Sequence, residues 1–230
     1  MMIYGSSGSG KTMLAGSADA VPELRKVLFL DVEGGTYTLR NSDYSNVDVL
    51  RITEWKEIED VYNILYLGQH DYKTIIIDSL TELQKVSMEA ILADTSAGVS
   101  LSSEIPQLRE WNINIEQVRK VVRKFRDLPV NTIFTALVNQ EKNPLKGYTT
   151  NKPLLSGKVK DEVAAFLDIV AFYNVKEVDG RSVRVLQTTA TETTVAKDRS
   201  SKLPAVMEDP TMTKIYEYLN AKEELSESSN

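Results

Sequence analysis

Short, nearly continuous apolar runs alternate with amphipathic stretches along much of the chain. Val27-Leu28-Phe29-Leu30-Asp31 and Thr74-Ile75-Ile76-Ile77-Asp78 each end in an acid, the pattern of strands buried on both faces of a parallel sheet. Val130 to Val138 reads the same way. Between these runs, Trp55, Ile58, Val61, Tyr62 and Leu65 share one helical face behind a cap at Thr53, and Leu80, Leu83, Val86 and Ile91 share another. Strand and helix alternate, which predicts an α/β fold with a mostly parallel, doubly wound sheet.

The second half changes character. Leu108, Trp111, Ile115, Val118, Val122 and Phe125 recur at spacings of three and four along a charged helix; about three heptads is short for a coiled coil, so a core-facing or protomer-facing helix is expected. Ile169 to Val175 and Ser182 to Thr189 flank Val178-Asp179-Gly180, a hairpin signal that predicts an antiparallel C-terminal edge. Asp209-Pro210 is expected to open a last helix through Leu219, with Asp209 as its cap. Asp94 to Pro106, rich in serine and small residues, reads as a loop, and the acidic stretch from Glu223 to Asn230 as disordered. One domain over residues 1–222 is predicted, with a tail at 223–230.

Composition narrows the chemistry. The chain has 230 residues, 42% hydrophobic and 26% charged, which suits one globular domain. It has no cysteine and a single histidine, His70, so thiolate and imidazole metal sites are excluded and any metal must be held by oxygen. His70, in the turn before the Ile75 strand, reads as a surface or strand-entry residue. No apolar run approaches the ~18 residues a membrane span needs, and no leader pattern is evident, so a cytoplasmic location is expected. A net charge of −6 argues against a uniformly basic nucleic-acid coat.

The strongest chemical signal is Gly5-Ser6-Ser7-Gly8-Ser9-Gly10-Lys11-Thr12, a complete G-x-x-x-x-G-K-T phosphate-binding loop between a short strand at Ile3-Tyr4 and a helix at Met13-Leu14-Ala15. Glycines let successive N–H groups turn inward toward a phosphate, aided by the positive end of the following helix. Lys11 can reach the β/γ-phosphates, and Thr12 offers a hydroxyl to Mg²⁺. Asp78, at the end of an isoleucine strand, is the expected metal partner. Glu33, in Leu30-Asp31-Val32-Glu33-Gly34-Gly35, is the candidate general base.

The phosphate loop, Val32-Glu33-Gly34-Gly35, Ile77-Asp78-Ser79, a strand ending in Asn139-Gln140, and Ala196-Lys197-Asp198-Arg199-Ser200 together resemble RecA-like ATPases. Within them the chain is similar to short, phage-encoded, core-only recombinases that bind and anneal single-stranded DNA. The resemblance runs from residue 3 to about residue 210 by motif order. It implies a RecA-like P-loop NTPase core using ATP and Mg²⁺, with DNA-dependent ATP hydrolysis. It implies that Glu33 polarises the attacking water and that Gln140 senses the γ-phosphate beneath a DNA-contacting loop. Lys197 and Arg199 would reach a neighbouring protomer's nucleotide in a homo-oligomeric ring or filament, and a phage single-strand-binding protein is an implied partner. Ser201 stands where similar sequences often place glycine.

The stretch from Glu141 to Lys158 reads as a long loop holding four lysines, Lys142, Lys146, Lys152 and Lys158, against the one acid Glu141, with Tyr148 as a stacking ring. Mobile lysines around an aromatic ring suit sequence-tolerant single-strand binding; the plainer reading is a solvated loop whose lysines balance neighbouring acids. Two other functional classes fit a phosphate loop: a nucleotide-gated interaction protein with little hydrolysis, and a P-loop kinase, the latter disfavoured because no arginine-rich lid is apparent.

Overall fold

The computed structural model describes residues 1–40, 44, 46–96, 105–142 and 147–221. Lys146, positions 97–104 of the serine-rich stretch and the tail at 223–230 lie outside the described residues. In chain order the elements are β1 (Met2–Gly5), α1 (Lys11–Gly16), a 3-10 turn (Ser17–Ala20), β2 (Val27–Asp31), α2 (Tyr37–Arg40), β3 (Asp48–Arg51), α3 (Trp55–Tyr66), β4 (Thr74–Asp78) and α4 (Leu80–Ser96). There follow α5 (Leu108–Arg126), β5 (Asn131–Lys142), β6 (Thr149–Pro153), α6 (Val159–Phe166), β7 (Ile169–Val178), β8 (Arg181–Gln187), β9 (Lys197–Asp198), β10 (Val206–Glu208) and α7 (Met212–Asn220).

Among the described residues these strands form one sheet in the order β10-β8-β7-β1-β5-β4-β2-β3, with β6 on β5 and β9 on β7. The pairs from β7 through β1, β5, β4, β2 and β3 are parallel, and β8 and β10 extend the sheet in antiparallel fashion. This is the expected mostly parallel, doubly wound α/β core with an antiparallel C-terminal edge. Its central strands are apolar because helices cover both faces: β1, β2 and β4 are buried at every position. One core layer packs α3, α4, α5 and α6 against the sheet through Ile58, Leu83, Val122, Phe125 and Val163; the other packs α1 and α7 through Leu14, Ala15 and Ile215. Among the described residues no helix is long and apolar enough to cross a membrane.

The stripe on α5 is core-facing only in part. Val118, Val122 and Phe125 are buried, whereas Leu108 is 77% exposed and Trp111 37%. Where the stripe is interrupted, Asn114 is fully buried and fully bonded: its amide donates to the Gln84 carbonyl (2.8 Å) and Ser87 Oγ (2.9 Å) and accepts from Gln84 Nε2 (2.9 Å). Gln84 Oε1 in turn accepts the Ser156 N–H at 2.7 Å, so this network ties the chain leaving β6 to the helix that follows β4.

Several boundaries differ from expectation. Glu54, not Thr53, caps α3, in a reciprocal capping box with Glu57. At α7 the cap is Thr211, whose side chain accepts the Lys214 N–H, and not Asp209, which takes a left-handed φ of 42° in the turn before it. Asp94 to Ser96 belong to α4 rather than to a loop. The segment from Glu141 to Lys158 is also not one long loop. Glu141 and Lys142 end β5, and Thr149–Pro153 returns antiparallel to it as β6, pairing Gln140 with Asn151 and Lys142 with Thr149. Strand pairing satisfies backbone groups that an open loop would leave to water, and the threonines of β6 favour it. The result is a hairpin arm rising from the strand beside β1.

Candidate functional site

The phosphate loop connects β1 to α1. A Cβ on Gly5 would fall 1.9 Å from the Tyr173 carbonyl oxygen, so no side chain fits where the loop begins. Gly8 and Gly10 hold φ of 74° and 98°, the left-handed region that favours glycine. Lys11 is buried, and its Nζ donates to the loop's own Gly5 and Ser6 carbonyls at 3.1 and 2.9 Å. Burial pushes its pKa down, opposed by the charges of Glu33 and Asp78.

The acids come from the neighbouring strands. Asp78 ends β4 and is 1% exposed; its Oδ2 accepts the Thr12 hydroxyl at 2.7 Å and its Oδ1 that of Thr135 on β5. Burial pushes the Asp78 pKa up, and the two hydroxyl donations oppose that rise. Glu33 follows β2, and its N–H donates to the Asp78 carbonyl at 3.0 Å, which fixes the turn against the end of β4. Its side chain is exposed, yet partial desolvation against the loop raises its pKa, followed by the charge of Asp78, while Lys11 and a hydrogen bond from Ser79 hold it down. Lys11, Thr12, Asp78 and Glu33 therefore meet on one flank of the loop.

Asp31 shapes that flank. Its buried carboxylate accepts the N–H groups of Gly34 (2.7 Å) and Gly35 (3.2 Å) and the Thr36 hydroxyl (2.9 Å), and Arg51 lies 3.5 Å away. It is a positioning residue for Glu33, whereas the sequence marks it only as a strand-ending acid. Asp31→Asn halves the acceptors and removes the charge that faces Arg51. A loss of about 1–3 kcal/mol of stability is expected, with kcat falling about tenfold while KM holds, as chemical denaturation and steady-state kinetics would show.

The other expected site residues are distributed differently. Gln140 stands on the arm, and its Nε2 donates to Asn151 Oδ1 at 3.1 Å. Lys152 is not a mobile lysine: it lies 3.4 Å from Glu141 and 3.5 Å from Asp161. Lys142 and Lys158 are exposed, and neither forms an ion pair among the described residues. Lys197 pairs with Val170, which lies beside Met2, at the end of β1 away from the phosphate loop. Its Nζ donates to the Ala164 carbonyl at 2.9 Å, and Arg199 pairs with Asp168 at 2.5 Å. Neither reaches the phosphate loop of its own chain. Ser201 adopts φ 57°, the conformation for which glycine is the easier residue.

A model of the AAA domain matches residues 1–200. The chain belongs to the AAA domain family. The AAA domain match spans every element that builds the flank described above, and makes the protein a P-loop NTPase with nucleotide-dependent activity. Solved structures similar to the chain include a KaiC-like protein from the hyperthermophilic archaeon Pyrococcus horikoshii, at a TM-score of 0.49 and 15% identity over 81% of this chain and 76% of that one. No curated protein matches the sequence.

The AAA domain residues fit a nucleoside triphosphate with its divalent ion. Ser9 Oγ is buried without a hydrogen-bond partner, and nothing stands within 4 Å of where a Gly8 side chain would begin. Among the described residues no group of three or more His, Asp or Glu could hold an ion alone, so an ion at Thr12 and Asp78 would share its coordination with phosphate oxygens.

Proposed function

We propose that the protein hydrolyses ATP and couples that turnover to single-stranded DNA at the β5–β6 arm, in phage-type recombination and annealing. The observation that carries hydrolysis is the convergence of Lys11, Thr12, Asp78 and Glu33 on one flank of the loop. Thr12 and Asp78 would hold Mg²⁺, which would supply neutralising charge to the phosphates. Lys11 leaves the Gly5 and Ser6 carbonyls to meet the phosphates, and its cation stabilises charge that develops on them. Glu33, held by the Asp31 turn, takes the proton from the attacking water.

Coupling rests on the arm. It grows from β5, which pairs with β1 below the loop and supplies Thr135 to Asp78. Lys142 and Lys158 supply exposed charge for a nucleic-acid backbone, and Tyr148 a ring for stacking. In an assembled homo-oligomer, Arg199 would leave its exposed pair with Asp168, worth only about 0–1 kcal/mol, to approach a neighbour's nucleotide. A phage single-strand-binding protein is the expected partner.

The test is phosphate release with and without a single-stranded oligonucleotide. Stimulation of several-fold is expected, along with binding that depends on an ATP analogue. Lys142→Ala and Lys158→Ala should each weaken binding and flatten its salt dependence by about one unit of slope; Lys152→Ala should act mainly through the arm's stability. Turnover that ignores DNA, with no DNA bound, removes the coupling and leaves a hydrolase. No turnover at all favours a nucleotide-gated interaction protein.

A further inference from the structure

The phosphate loop has a second flank. The strand order β8-β7-β1-β5-β4-β2 places Asp78 and Glu33 on one side of β1 and the β7–β8 hairpin on the other. Arg184 of β8 pairs with Val175 of β7, beyond the row in which Phe172 meets Tyr4, so it stands at the same end of the sheet as the loop. Two strand spacings, about 10 Å, separate β8 from β1, and the arginine side chain extends back toward the loop between them. Its Nε lies 3.2 Å from where a Gly10 Cβ would be, and the Tyr173 hydroxyl 3.6 Å from the same point. The residue is exposed and forms no ion pair among the described residues. Its backbone is pinned: the Arg184 carbonyl accepts the Asp209 N–H at 2.7 Å, and its own N–H donates to Asp209 Oδ1 at 3.3 Å.

We propose that Arg184 is a nucleotide-binding residue that grips the α-phosphate end of the bound triphosphate, beside the Tyr173 hydroxyl at Gly10. The inference rests on the nucleotide reading above. A triphosphate whose hydrolysable end faces Glu33 and Asp78 must direct its other end toward the opposite flank, where Arg184 brings a planar cation with several donors. Gly10 suits that position by its φ of 98°, and Arg184 stands against the open space its missing side chain leaves.

The test is a split between affinity and turnover. Arg184→Ala should raise KM for ATP and Kd for ADP about 10–100-fold and leave kcat at saturation within about threefold; Arg184→Lys should recover part of the affinity. Arg184→Thr, a residue suited to a strand, gives the same comparison if the alanine variant folds poorly. Unchanged KM and Kd, or a loss confined to kcat, overturns the proposal. A parent protein that binds neither ADP nor ATP overturns the nucleotide reading itself, which separates the two failures.

Discussion

Glu33→Gln lowers kcat by about 10²–10⁴-fold and leaves ATP affinity within a few-fold of the parent. Glutamine keeps the shape of the side chain and its place beside Ser79 but cannot accept a proton, so the loss falls on the chemical step. The same residue sets the pH profile. Its pKa is raised by partial desolvation and by Asp78, so the acid limb of kcat/KM lies above the ordinary glutamate value of about 4.3. The active form is the carboxylate; activity is full above the raised pKa and falls as pH drops through it. Stopped assays of phosphate release across pH check both statements. If the variant turns over at the parental rate, Glu33 is not the base.

The phosphate loop is legible in the sequence because its chemistry is local: eight consecutive residues carry the glycines, the lysine and the hydroxyl. Asp78 and Glu33 are legible for a related reason, since one ends a buried strand and the other stands just beyond one, and parallel pairing aligns those ends; Asp31 lies opposite Asp78 in the register. The role of Asp31 is hidden because it consists of bonds to the backbone of Gly34 and Gly35, which no residue type announces. Arg184 is hidden more deeply. It sits in an ordinary alternating strand, and only the order of β8, β7 and β1 carries it to Gly10, 174 positions earlier in the chain. The arm reads as a loop because its lysines, prolines and glycines outweigh the threonines that pair. Lys152 reads as mobile because Glu141 meets it only once β6 pairs with β5, and Asp161 only after α6 folds back.

Lys11→Ala removes nucleotide-dependent stabilisation. In the parent, ATP with Mg²⁺ at a hundredfold excess over Kd adds about 2.7 kcal/mol, which for a domain of this size is a rise in Tm of about 5–10 °C. The variant should show no rise at the same concentrations. Its own stability is a separate matter: the loop loses bonds from Nζ to two carbonyls, and Asp78 and Glu33 lose the cation that favours their charged forms. Both acids then titrate at higher pH, so the variant's stability without nucleotide should be lower near neutral pH than in mild acid, where the acids are protonated. Thermal melts with and without ATP at two pH values separate the effects. A variant that still gains several degrees from ATP would show that the main-chain cradle binds the triphosphate without its lysine.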